Sequence, residues 1–182
     1  MKKNFYLTVS ALFVAINVIL ASLALYSRIP IYMDTLGIML GVRLLGFKYG
    51  VGIAIASSLV NSNFDIFALY FFPAHLTVAI MMEFILRNKK LNSLNDFLKA
   101  AIMGIPAAIV GAIITAYIFG GITSSGSSVI LAFLNKAGLS LVASAFVVQI
   151  ATDYLDKLFL YKLMKFIIKM LPNRILEKFR RI

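Results

Sequence analysis

The run from Leu7 to Leu25 constrains this chain more than any other stretch. Apart from Thr8, Ser10, Asn17 and Ser22 it is wholly hydrophobic. At 1.5 Å rise per residue, about 20 such residues cross the roughly 30 Å hydrocarbon core of a bilayer. A helix satisfies its own backbone polar groups, as a spanning segment must. Ala11 and Ala15 lie four apart, so they share one face of this helix and leave a shallow groove for another helix.

Similar runs recur along the chain. It is 62% hydrophobic and 14% charged, whereas a soluble domain is nearer 45–50% apolar and about 25% charged. The 182 residues read as one integral membrane domain, 1–182, with spans at about 4–25, 34–47, 50–65, 67–86, 97–119 and 129–150. A basic amphipathic tail follows at 154–182. Pro30, the polar turn Asn61-Ser62-Asn63-Phe64-Asp65, the solvated segment from Arg87 to Asp96 and the small-residue loop from Gly120 to Ser128 punctuate these runs. The expected fold is all-α, a polytopic bundle of six transmembrane helices. The start Met1-Lys2-Lys3 suits a secretory signal, but the run behind it exceeds an h-region of about 7–15 residues and further runs follow. The first helix is therefore expected to remain as a span.

The formal net charge of +11 is read through topology. Six spans put both ends on one side. With the N-terminus inside, all of the 18 Lys and Arg except Arg28 and Lys136 fall on the inner side. The positive-inside rule then makes both termini cytoplasmic, and no nucleic acid is needed to explain the charge. In the tail, Tyr154, Leu158, Tyr161, Met164, Ile168 and Leu171 recur at spacings of three and four between lysines. Such a helix is expected to lie on the lipid headgroups.

Several chemistries are disfavoured. With no Cys and a single His, His75, disulfides, thiolate metal sites and multi-histidine metal sites within one chain are excluded. No nucleophile has a base and orienting group in a local motif, so an enzyme is not expected. Neither is a cofactor. A nucleotide-binding loop and similar halves are absent from the sequence.

Polar groups inside spans cost free energy unless paired or hydrated, and here they gather toward the outer half. They are Tyr26, Tyr32 and Asp34 around the first loop; Asn61, Asn63 and Asp65; Tyr70 and His75; the serine-rich loop with Ser125; and Asn135 and Lys136. Such a cluster at one end of a bundle suits a pocket for a small polar ring compound. Each residue has a plainer reading: the tyrosines as an interfacial belt, Asp34 as a helix cap ahead of Thr35, Asp65 as a loop anion, Lys136 as a snorkelling cation. Gln149 is expected to make an interhelical hydrogen bond, and Glu83 to pair with Arg87 at i+4. The pairs Gly37/Gly41, Gly46/Gly50 and Ala107/Gly111 allow close helix approach.

With the Ala11-Leu-Phe-Val-Ala15 face, the stretch Asp34-Thr-Leu-Gly37 followed by Gly41, Gly46 and Gly50, and the six-span length, the chain resembles the substrate-binding (S) components of energy-coupling factor vitamin transporters. The resemblance covers nearly the whole length. It implies a multi-pass protein of the bacterial cytoplasmic membrane that binds a micronutrient in an outward-opening pocket. It implies docking through Ala11 and Ala15 on a transmembrane scaffold protein driven by two ABC-type ATPases, and toppling in the bilayer to deliver the ligand. Carried over by position, the loop Gly120 to Ser128 is part of the lid, and His75, Asn135 and Lys136 lie near the ligand. Tyr70, Asp65, Asp34 and Ser125 complete the substrate-binding set. With no Trp and a balanced set of donors and acceptors, a small neutral heteroaromatic such as pyridoxine or hydroxymethylpyrimidine fits best. Riboflavin, pantothenate and other vitamins stay open. Two other classes remain: a cell-shape membrane scaffold without a ligand, and a self-sufficient secondary transporter, which the lack of a charged midplane relay disfavours.

Overall fold

Each long apolar run is helical in the computed structural model, which describes residues 2–179. The elements are α1 (Lys2–Tyr26), α2 (Leu36–Leu40) continuing as a π-helical turn (Gly41–Leu45), α3 (Phe47–Asn61), α4 (Phe67–Tyr70), α5 (Phe72–Arg87), α6 (Lys89–Asn92), α7 (Asp96–Ile113) extended by a second π-helical turn (Ile114–Ile118), α8 (Ser127–Lys136), α9 (Leu141–Met170) and α10 (Asn173–Phe179). No strand occurs among the described residues. The protein is all-α as its composition predicts. Among the described residues two helices, Lys3–Tyr26 and Asp96–Ile118, are long and apolar enough to cross a membrane.

Four expected segments take a different form, the stretch 67–86 being divided at Phe71 into α4 and α5. The stretch 34–47 yields only the helical unit Leu36–Leu45, ~15 Å long at 1.5 Å per residue. Leu36, Ile38, Met39 and Leu40 are almost wholly buried, so it is a core element rather than a bilayer-facing one. Its length is set by Asp34, which turns aside to another partner, and by Gly46, whose φ of 109° suits a residue without Cβ.

The stretch 129–150 is not one helix. α8 ends at Lys136, the chain turns through Gly138 at φ 105°, and Ser140 caps α9 by accepting from the Ala143 N–H. The stretch 154–182, expected as a surface tail, is for the most part the continuation of α9, which runs 30 residues without a break. Nothing between Ile150 and Tyr154 can stop a helix, and the apolar stripe is used inward. Leu160, Tyr161 and Met164 are buried in the main core with Ile38, Met39 and Met82. Residues 180–182 of that tail lie outside the described residues.

Small residues bring the helices together, as the sequence spacing predicts. A Cβ on Gly37 would overlap the Phe13 backbone, and Gly41 and Gly50 face each other between α2 and α3. On α7, Gly104 sits against the backbone of Asp153 and Tyr154, and Gly111 against the Gln149 side chain. Dispersion contacts at this distance are what hold helices together where the surroundings are as apolar as the core. Asn17, wholly buried in α1, ties three elements at once. Its amide donates to Ser57 on α3 at 3.0 Å and its oxygen accepts the Gly37 N–H at 2.6 Å.

α1 begins and α10 ends at the same end of the bundle, where the Phe5 and Phe179 rings lie 5.4 Å apart. The loops 27–35, 62–66 and 119–126 meet at the opposite end.

Candidate functional site

Those three loops cover a cavity of about 90 Å³. Its polar floor is built by α5, the first loop and α9. Asp34, just before α2, directs one carboxylate oxygen (Oδ2) at His75 Nε2, 2.8 Å away. The other ring nitrogen, Nδ1, is 2.9 Å from the Ser58 hydroxyl on α3. When Nε2–H donates to Asp34, the neutral ring accepts from Ser58, and the second partner fixes the tautomer. Asp34 Oδ1 is buried and has no hydrogen-bond partner among the described residues. It is an acceptor awaiting a donor.

A second cluster stands beside it. Lys157, buried in α9, pairs with Asp156 at 2.6 Å and with Asp153 at 3.5 Å. Asp153 and Lys157 line the cavity. Asp156 sits behind them, its second oxygen accepting the Met33 N–H at 2.9 Å. That bond holds the first loop down. Met33 and Arg28 both carry positive φ, 55° and 52°, a conformation costing roughly 1–3 kcal/mol each in a non-glycine residue. Three carboxylates and one lysine thus bring several hydrogen-bond acceptors and one cation to the floor. This set suits a ligand that brings hydrogen-bond donors.

One wall is aromatic. Phe67 and Phe71 line the cavity and are braced from behind by Phe119, at 4.6 and 6.2 Å between centroids. The roof is tied by hydroxyls. Tyr32 donates to Gln149 Oε1 at 3.0 Å and lies 3.2 Å from the Ser127 hydroxyl; Ser124 donates to Asp65. Gly126 lies flat against the Arg28 carbonyl. The first and the serine-rich loops therefore close on each other over the space.

Of the residues singled out from sequence, the fold gathers His75, Asp34, Asp65 and Ser125 around the cavity. It does not bring Asn135, Lys136 or Tyr70 there. Asn135 and Lys136 are exposed at the end of α8, where the Asn135 amide donates to the Leu139 carbonyl and closes the turn. Because 129–150 is two helices, these residues never enter the bundle. Tyr70 is exposed and packs its ring edge-on against Phe119 at 5.2 Å. Asp34 is not the cap of α2; Thr35 occupies that position without a side-chain bond. Gln149 does make a hydrogen bond across the bundle, accepting from Tyr32 of the first loop rather than from a helix. Glu83 accepts from Arg87 at 2.7 Å, as its spacing predicts. Ala11 and Ala15 are both exposed on the outward face of α1.

Lys157, Asp153 and Ser58 were not anticipated. Lys157, counted from sequence among the inner-side cations, lies against the cavity. The signal was present as Asp153, Asp156 and Lys157 at i, i+3 and i+4, which places both signs of charge on one helical face. Comparison with models of protein families, with curated proteins and with solved structures finds no match for this chain.

Proposed function

We propose that the protein is a membrane-embedded binding subunit for a small polar nutrient, of the S-component type that works with an energy-coupling module. In this reading six segments of the bundle occupy the bilayer: α1, the short unit α2, α3, α5, α7 and α9. Both termini are cytoplasmic. The cavity faces the outside under its three loops, while Ala11 and Ala15 dock on a transmembrane scaffold protein coupled to two ABC-type ATPases. The observation that carries the reading is the cavity beneath the loops with an unpaired Asp34 oxygen on its floor and Phe67 and Phe71 on its wall. A buried polar acceptor is expensive unless something satisfies it, and ligand pockets combine apolar walls with a few convergent polar groups. The ligand class is a compact heteroaromatic presenting an N–H or O–H donor to the free Asp34 oxygen, consistent with pyridoxine or a hydroxymethylpyrimidine.

The test is recovery of bound ligand. Protein purified in mild detergent should release a small nitrogen heterocycle detectable by mass spectrometry, and the matching vitamin should raise its melting temperature at micromolar concentration. No released compound, and no shift with any of a panel of vitamins and precursors, would remove the reading.

A second reading has its own support. The buried set Lys157, Asp156, Asp153, Asp34 and His75 has the composition of a proton relay in a self-sufficient transporter. Uptake into proteoliposomes by this chain alone, driven by a pH gradient and without ATP, would favour it.

A further inference from the structure

A second cavity opens at the opposite end of the bundle, a groove of about 460 Å³ between α6, α7, α9 and the end of the α2 unit. Four cations line it: Arg43, Lys99, Lys165 and Lys169. Lys165 is engaged with Asp96 at 2.9 Å. Lys99 differs in kind. It is 7% exposed, and among the described residues no carboxylate lies within salt-bridge distance of it and no hydrogen bond satisfies it; its nearest aromatic neighbour is the Tyr161 ring, 5.8 Å from Nζ. It also stands in the first turn of α7, where the helix dipole is positive and a lysine is unfavourable. Arg43 and Lys169 have no acidic partner among the described residues either. Leu86 and Phe166 supply an apolar side to the same groove.

Lys99 buries its stem and presents an unpaired ammonium to a groove that three other cations line, and like charges gathered in this way repel. The cost is met if the groove normally holds an anion. We infer that this groove binds the phosphate of an anionic phospholipid, with the phosphate held by Lys99, Arg43 and Lys169 and the acyl chain along Leu86 and Phe166. Basic pockets between helices at one bilayer surface are the sites where acidic headgroups lodge. The inference rests on the membrane reading above but not on the ligand cavity, which lies at the other end. It gives the cationic groove a role separate from topology: a lipid anchoring the end of the bundle where α1 begins and α10 ends.

The experiment compares full-length protein in nanodiscs of phosphatidylcholine alone with nanodiscs containing phosphatidylglycerol, reading melting temperature and, by native mass spectrometry, the lipids retained on release. Phosphatidylglycerol should be retained selectively and should raise the melting temperature by several degrees. Lys99→Met should lower that retention at least tenfold. In pure phosphatidylcholine the same variant should be no less stable than the parent, because it removes an unpaired charge; this separates loss of a site from loss of fold. Arg43→Gln should act in the same direction more weakly. A stabilisation reproduced by millimolar inorganic phosphate, and equally dependent on Lys99, would keep the anion site and assign it to a soluble phosphate. Equal retention of the two lipids, an unchanged preference in Lys99→Met, or selectivity only for an acidic segment of a partner protein would overturn the inference. Neither readout uses the vitamin. Failure of ligand binding and failure of this site are therefore distinguishable.

Discussion

His75 Nε2 stands 2.8 Å from Asp34 Oδ2, and the two residues, 41 positions apart in the chain, hold each other at the base of the cavity. The pair leaves Asp34 Oδ1 free while Ser58 holds the far side of the ring. Asp34→Asn removes the charge that a donor on the ligand would meet. A hydrogen bond to a charged group contributes about 1.5–3 kcal/mol, so affinity should fall roughly 10- to 100-fold by isothermal titration. Ser58→Ala, which loosens the ring without touching the cavity, should cost less than tenfold.

Lys157 is placed to affect stability more than specificity. Lys157→Met leaves Asp156 and Asp153 buried without their cation, a loss of about 3–5 kcal/mol for a broken buried pair. The double variant Lys157→Met with Asp156→Asn should recover much of that loss. A denaturation series on the parent, the two single variants and the double variant measures the coupling. Strict additivity would show that the pair seen at 2.6 Å does not act as a unit.

The roof should respond to one methyl group. A Cβ on Gly126 would overlap the Arg28 carbonyl oxygen, pushing the first loop away from the serine-rich loop. Gly126→Ala is expected to speed ligand release by about tenfold or more while leaving the helical content measured by circular dichroism unchanged. Tyr32→Phe, which loses the hydroxyl shared with Gln149 and Ser127, should act in the same direction through the loss of about 1 kcal/mol of hydrogen bonding.

The outer face of α1 should separate binding from transport. Ala15→Trp, or Ala11→Trp, fills the shallow groove on an exposed surface. Ligand affinity of the isolated subunit should stay within twofold. Energy-driven uptake in cells carrying the coupling module should fall to background. A variant that binds weakly yet still assembles with the module would reverse the assignment of these surfaces.

The site was half legible in the sequence. His75, Asp34, Asp65 and Ser125 stood out because a polar residue in an apolar chain needs a reason to be there. Asn135 and Lys136 stand out for the same reason and are exposed, because Gly138 and Ser140, a helix stop and a helix start inside an otherwise apolar run, divide 129–150. Lys157 was hidden by its company. It opens a run of cations, and only the uninterrupted course of α9 shows that it is buried while Lys162, Lys165 and Lys169 are not.

What the sequence determined by itself was the material: helices throughout, apolar faces at helical spacing, and small residues where backbones must meet. Those follow from local periodicity and from hydrophobicity, which each segment carries alone. The tertiary structure alone decided where helices begin and end within the long apolar stretches, and which polar groups converge. Depth along a helix depends on where its neighbours end, and a buried carboxylate takes a partner more than a hundred residues away, as Asp156 does in the Met33 backbone N–H. No local pattern encodes that distance.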